Sequence, residues 1–196
     1  VSLIDVSAGQ LAAVVTYLEM HERPSDFALP PAPLALHRIH PAPSDYRNLF
    51  RTVGAPWLWF SRLVMPDPQL RAIIDHPAVE LFEVRDSDLV VGMLELDRRL
   101  ASACELAFVG LIPAYTGQGH GRWLLAEAVA RAWSDGTTRV HVHTCSLDHP
   151  AALGAYRRAG FIPVARKVET FIDPRLAGIL PRDSAPQVPL VDPGAS

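Results

Sequence analysis

The stretch "TGQGHGRWLL" (116–125) sets Gly117, Gly119 and Gly121 at alternate positions immediately before an apolar, helix-forming run. A helix start leaves its first backbone N–H groups without partners, and glycines let a charged ligand approach those groups with no side chain in the way. The chemistry this suits is pyrophosphate recognition by Thr116, Gly117, Gln118, Gly119, His120, Gly121 and Arg122. Two better-known phosphate loops fail here. A nucleoside-triphosphate loop needs Lys and then Ser or Thr after its last glycine, whereas Arg122 and Trp123 follow Gly121. A dinucleotide loop spaces its glycines G-x-G-x-x-G at the head of a βαβ unit; these alternate, more than a hundred residues into the chain. A glycine turn that binds nothing is the plain alternative, although three alternating glycines are costly where only a chain reversal is needed.

The elements that must hold such a loop can be read around it. "VELFEV" and "LVVGMLELDRR", joined by "RDSD", predict a hairpin, and "SACELAFVGLI" adds a third antiparallel strand. After the glycines, Leu124, Leu125, Ala128, Val129 and Ala132 recur at helical spacing and predict a helix packed on the sheet. "RVHVHTC" is the next strand, "HPAALGAYRRAGF" a helix with Pro150 at its start and Gly160 at its C-terminal cap, and "FIPVARKVETFI" a last strand or bent pair. Upstream, "VVTYLEM" (14–20) reads as a strand, "RPSDFALPPAP" (23–33) as a connector and "LALHRIH" as the first strand of the main sheet. Between Ser44 and Ile74 the pattern is helical but broken, with Ser44 able to cap "DYRNLFRTVG". The expected organisation is an N-terminal strand and connector over 1–33 packed on a main domain over 34–172, then a proline-rich irregular tail over 173–196.

Composition narrows the function. With 196 residues and 49% hydrophobic content the chain suits one well-buried core. A formal net charge of −3 provides no basic field for nucleic acid and tolerates a cationic substrate slightly better than an anionic one. Cys104 and Cys145 fall in strand-like sequence, which suits reduced core thiols in a cytoplasmic protein. The sequence carries neither an 18-residue apolar run nor a charged-then-apolar leader, so neither a membrane span nor a signal peptide is expected. His141 and His143 alternate on one strand, but no third ligand accompanies them at a metal-site spacing, and no metal is expected.

Two motifs in order over about residues 79–165 resemble the GNAT superfamily of acetyl-CoA-dependent N-acetyltransferases. The glycine loop resembles the family's pyrophosphate loop, with Thr116 where Arg or Gln is usual; "LDHPAALGAYRRAGF" resembles its Asn-x-x-Ala-x-x-x-Tyr…Gly-Phe segment, with Ala152, Tyr156, Gly160 and Phe161 in place and His149 where Asn is usual. The resemblance implies an α/β (α+β) fold: a mixed, mostly antiparallel central sheet flanked by helices, with a splayed strand pair where acetyl-CoA, the co-substrate, lies like an extra strand. It also places the pantetheine arm beside Val109 and Leu111, with the Leu111 N–H facing the developing oxyanion, and leaves His149 and Ala152 near the coenzyme.

An amine of solution pKa about 10 is protonated at neutral pH, so a base must act before it attacks the thioester. Glu105 is the candidate, since in several protein-acetylating relatives a glutamate at the matching place acts through water as general base; otherwise it is a half-exposed strand carboxylate that attracts a cation or forms a salt bridge. Plain alternation sets Glu105, Ala107, Val109 and Leu111 on one face unless a bulge intervenes. Tyr156 stands where the family's general acid stands and would protonate the departing thiolate; otherwise it is the aromatic member of an alanine stripe. Trp57, Trp59 and Phe60 belong to the region that helps wall the acceptor groove in this fold. The expected activity is acetyl transfer to a primary amine, small-molecule or peptide, by direct attack in a ternary complex. The rival is a non-catalytic acyl-CoA sensor, and a homodimer is left open.

Overall fold

Period-two alternation of β-branched and aromatic residues builds seven strands, and in the computed structural model, which describes residues 1–24, 29–134 and 136–194, they join in one sheet. In chain order the elements are β1 (Gln10–Met20), β2 (Ala35–Ile39), α1 (Pro43–Gly54), α2 (Asp67–Ile74), β3 (Val79–Asp86), β4 (Leu89–Asp97), β5 (Ala103–Leu111), α3 (His120–Ala132), β6 (Arg139–Cys145), α4 (Ala152–Arg158) and β7 (Ile162–Ile172). Part of the connector expected at 23–33, residues 25–28, lies outside the described residues. The strand order is β2-β3-β4-β5-β6-β1-β7, and β5–β6 is its parallel pair. β1 is bonded on both sides, antiparallel to β6 and to β7, while "LALHRIH" supplies the opposite edge, β2.

Each face of the sheet has its own cover. On one side Trp123, Leu124, Ala128 and Val129 of α3 bury against Leu18, Leu94, Leu96, Leu106 and Val140, with α4 beside them. On the other, Tyr46, Phe50 and Val53 of α1 and Leu70 and Ile74 of α2 bury against Val79, Leu81 and Met93. The helix expected to be capped by Ser44 starts at Pro43, whose fixed φ suits a first helical position; Ala42 precedes it in extended conformation, with no side-chain cap. The segment after β7 contains no helix or strand among its described residues, yet Leu180 and Ala185 are buried against Leu58. Arg175 anchors it. That guanidinium is 3% exposed, bonds Asp173 and donates to the carbonyls of Ser184 (3.2 Å) and Val188 (2.9 Å). Among the described residues no helix is long and apolar enough to cross a membrane.

Candidate active site

The glycine loop has the geometry its sequence calls for. Gly117 and Gly119 take φ of +77° and +85°, and a Cβ added at Gly117, Gly119 or Gly121 would meet no atom within 4 Å. Among the described residues, none of the backbone N–H groups of 117–121 has a hydrogen-bond partner; pairing resumes where the Arg122 and Trp123 N–H groups donate to the Gly119 carbonyl. These five donors sit at the positive end of α3. Thr116 and Gln118 shape the loop: their side chains donate to the Pro113 and Ala114 carbonyls, both at 2.8 Å. Arg122 is exposed on the first turn of α3, and His120 buries an Nδ1 that has no partner.

Beside the loop the sheet opens. β5 and β6 pair only at Ala103/Arg139, Cys104/Val140 and Glu105/His141, and β5 then continues to Leu111 without β6. The Ile112 N–H donates to the Val91 carbonyl on β4 (2.9 Å). Because antiparallel pairs alternate, the N–H groups of Leu111 and Val109 point the other way, into the gap.

A bulge sorts the side chains of β5. The register passes from Glu95/Phe108 to Leu96/Leu106, leaving Ala107 as the extra residue. Glu105 therefore does not share a face with Val109 and Leu111, as plain alternation would have it. Val109 and Leu111 pack on the α3 side, whereas Phe108 packs on the α1 side with Phe50 and Trp59 at centroid distances of 4.8 and 5.1 Å. Glu105 lies 3.3 Å from Nδ1 of His143 on β6. The imidazole holds the carboxyl below its ordinary value, and the carboxylate in turn raises His143, against the pull of burial in each case. His143 also lies against the ring of Tyr17 at 5.8 Å.

Trp59 and Asp148 close the mouth of the gap. The indole rests where glycines make room: a Cβ on Gly54 would meet Trp59 at 2.5 Å, and one on Gly110 would meet Val53 at 2.6 Å and Trp59 at 3.1 Å. Its Nε1 donates to Asp148 (3.2 Å), which also accepts from the Thr144 hydroxyl and the Cys145 N–H, each at 2.7 Å. Trp57 meets His149 edge-on at 5.1 Å. Tyr156, on α4 with Ala152, stands edge-on to Phe161 (5.9 Å) and packs on the cluster that holds Leu111 and Trp123. Burial, with Asp148 nearby, pushes its phenol well up, so it stays protonated. Burial also pushes the thiols of Cys104 and Cys145 up to about 11, which keeps them from acting as nucleophiles.

Three features near the site have no local signal in the sequence. Alternation with His141 sets His143 on a strand face, and the parallel β5–β6 pairing delivers it to Glu105. Asp148 sits one residue before the His149 that drew attention. The third is a buried cluster under the α1 face: Arg62 donates to Glu95 (2.6 Å), Glu95 also accepts from the Tyr46 hydroxyl, and Arg62 lies 5.2 Å over the Phe108 ring. Glu95 is 0% exposed, an ionic group that alternation on β4 alone would assign to the core.

A helix head whose N–H groups have no partner among the described residues thus stands beside a parallel strand pair that parts. Residues 46–161, more than half of the chain, match the acetyltransferase (GNAT) family, and the chain belongs to it. It is 35% identical over 86 residues to a mycothiol acetyltransferase from Jonesia denitrificans, a stretch that is 43% of this chain and 27% of that protein. In fold it is similar to a GCN5-related N-acetyltransferase from Kribbella flavida (TM-score 0.52, 21% identity, 87% of this chain and 63% of that one). It is similar also to one from Sphaerobacter thermophilus (TM-score 0.57, 19% identity, 85% and 52%). A Bacillus subtilis acetyltransferase in complex with CoA aligns at TM-score 0.50 and 16% identity, over 67% of this chain and 78% of that one. The chain thus spans about a quarter of the curated relative and between half and two thirds of the first two structures. Membership supports acyl transfer from acetyl-CoA as the general activity.

Proposed function

We propose that this chain moves an acetyl group from acetyl-CoA to a primary amine, small-molecule or peptide, by direct attack in a ternary complex. The observation that carries the reading is the run of five unpartnered N–H groups at 117–121 set beside the β5–β6 gap. Those donors and the α3 dipole would hold the pyrophosphate, and the gap would take the pantetheine arm along Val109 and Leu111. The amine nitrogen attacks the thioester carbonyl carbon and the carbon–sulfur bond breaks. Leu111 offers its gap-facing N–H to the oxyanion. Glu105 accepts the proton the amine loses, directly or through water, and His143 keeps the carboxylate in its basic form at neutral pH. Tyr156, a protonated phenol at neutral pH, returns a proton to the leaving thiolate. Trp57 and Trp59 would wall the acceptor side, which suits an apolar or cationic amine. A cytoplasmic setting, with thiols kept reduced, belongs to the same reading.

Thiol release from acetyl-CoA, measured across a panel of amines, tests the proposal. Amine-dependent release with formation of the acetylated amine supports it. Tight acetyl-CoA binding with no turnover on any amine favours an acyl-CoA sensor instead.

A further inference from the structure

The edge of the sheet at β7 is long and regular, with exposed apolar residues on one face and charged ones between them. Val168 is 65% exposed, Ile172 62% and Val164 53%, and Val14, the β1 neighbour of Val168, is 46% exposed on the same face. Natural edges are blunted by shortness, bulges, prolines, inward charges or charged side chains along the strand, and in β7 the charges are Arg166, Lys167 and Glu169, which a partner strand would have to match. The other edge, β2, is only five residues long. In β7 the bulge near Tyr17/Leu18 and Pro163 both lie at the start, and residues 165–172 pair with β1 in unbroken register.

We infer that β7 pairs antiparallel with β7 of a second copy of this chain, joining two sheets into one across a two-fold axis at Val168. The occupant follows from the charges. A continuous sheet across a two-fold requires facing residues to share a face, which limits the registers to those centred on a single residue. Centring on Lys167 sets that lysine against its own copy, centring on Glu169 does the same for the glutamate, and centring on Arg166 opposes two arginines. Centring on Val168 sets Lys167 opposite Glu169 of the copy twice, Val164 opposite Ile172, and Val168 opposite itself. On one face this aligns Val14, Val168 and their two counterparts in a row of four valines that each chain alone leaves to water. Among the registers centred on residues 166–169, that is the one in which the strand is complementary to itself.

Sedimentation equilibrium over a wide dilution series, on the whole chain, tests this. The unaltered chain should be dimeric. Lys167→Glu, which puts two glutamates against each other on both sides of the axis, should weaken association roughly tenfold or more. Lys167→Glu combined with Glu169→Lys should restore it, because the opposite pairing returns with its partners exchanged. Val168→Lys, at a position already open to solvent, should give a folded monomer with an unaltered thermal midpoint at low protein concentration. A chain monomeric at every concentration overturns the inference, even if another protein binds this edge. So does a dimer indifferent to Val168→Lys, or one the double exchange fails to restore.

Discussion

At the scale of single residues the account rests on two proton carriers. Replacing Glu105 by Gln keeps the shape and removes the proton acceptor, so the variant should be slow at neutral pH and recover part of its rate in alkaline buffer, where the amine loses its proton unaided. A rate equal to the parent at every pH, on a verified acceptor, would remove Glu105 from that role. Tyr156→Phe keeps the ring that packs on Phe161 and deletes only the hydroxyl; kcat should fall roughly 10²-fold with little change in thermal midpoint. The Glu105–His143 pair also predicts a stability profile. Glu105 is depressed from 4.5, so its contribution is present above that value and lost as pH falls through the lower folded value; His143 is raised from 6.5, so its contribution is full below that value and lost as pH rises through the higher one. His143→Gln should therefore lower the thermal midpoint most between about pH 5 and 6 and hardly at all in alkaline buffer. Both side chains are partly open to solvent, which keeps the effect small. Glu105 and Tyr156 could be singled out as candidates in the sequence because the two motifs place them by resemblance. His143 could not be paired with Glu105 there, since nothing local says that β5 and β6 run parallel in that register.

At the scale of elements, the glycines do two different jobs. Gly119, at φ +85° with open space before it, serves the loop: Gly119→Val should raise the acetyl-CoA dissociation constant at least about tenfold, or about 1.4 kcal/mol. An unchanged constant in a folded variant would remove the loop from binding. Gly110 serves packing instead. Its added Cβ would meet Val53 at 2.6 Å, so Gly110→Ala should cost about 1–3 kcal/mol in denaturant unfolding and displace the Trp59 ring. The loop and the α3 stripe were plain in the sequence, because glycine spacing and a 3.6-residue period are local signals. The bulge at Ala107 was not, and it turns Glu105 and Leu111 to opposite faces. A bulge is decided by how two strands meet, with β4 shifting against β5 between Glu95 and Leu96, and neither strand announces it alone.

Across the whole molecule, long-range pairing decides what local pattern leaves open. "VVTYLEM" is readable as a strand, but its place between β6 and β7 depends on partners more than a hundred residues away, such as Cys145 for Val15 and Lys167 for the same valine. The segment after β7 has no periodicity to read, and its order comes from Arg175, a buried cation enclosed by Asp173 and by carbonyls from Ser184 to Val188. Arg175→Ala strands the Asp173 carboxylate and should lower stability by about 3–5 kcal/mol in denaturant unfolding. A loss within error of zero would show that this segment does not contribute to the folded core. The central claim is that the helix head at 117–121 and the parted strands together form the acetyl-CoA site. Amide resonances followed during an acetyl-CoA titration test it most directly. The account predicts saturable shifts at the N–H groups of residues 117–121, Val109 and Leu111; saturable binding that leaves those resonances in place and moves others would contradict it.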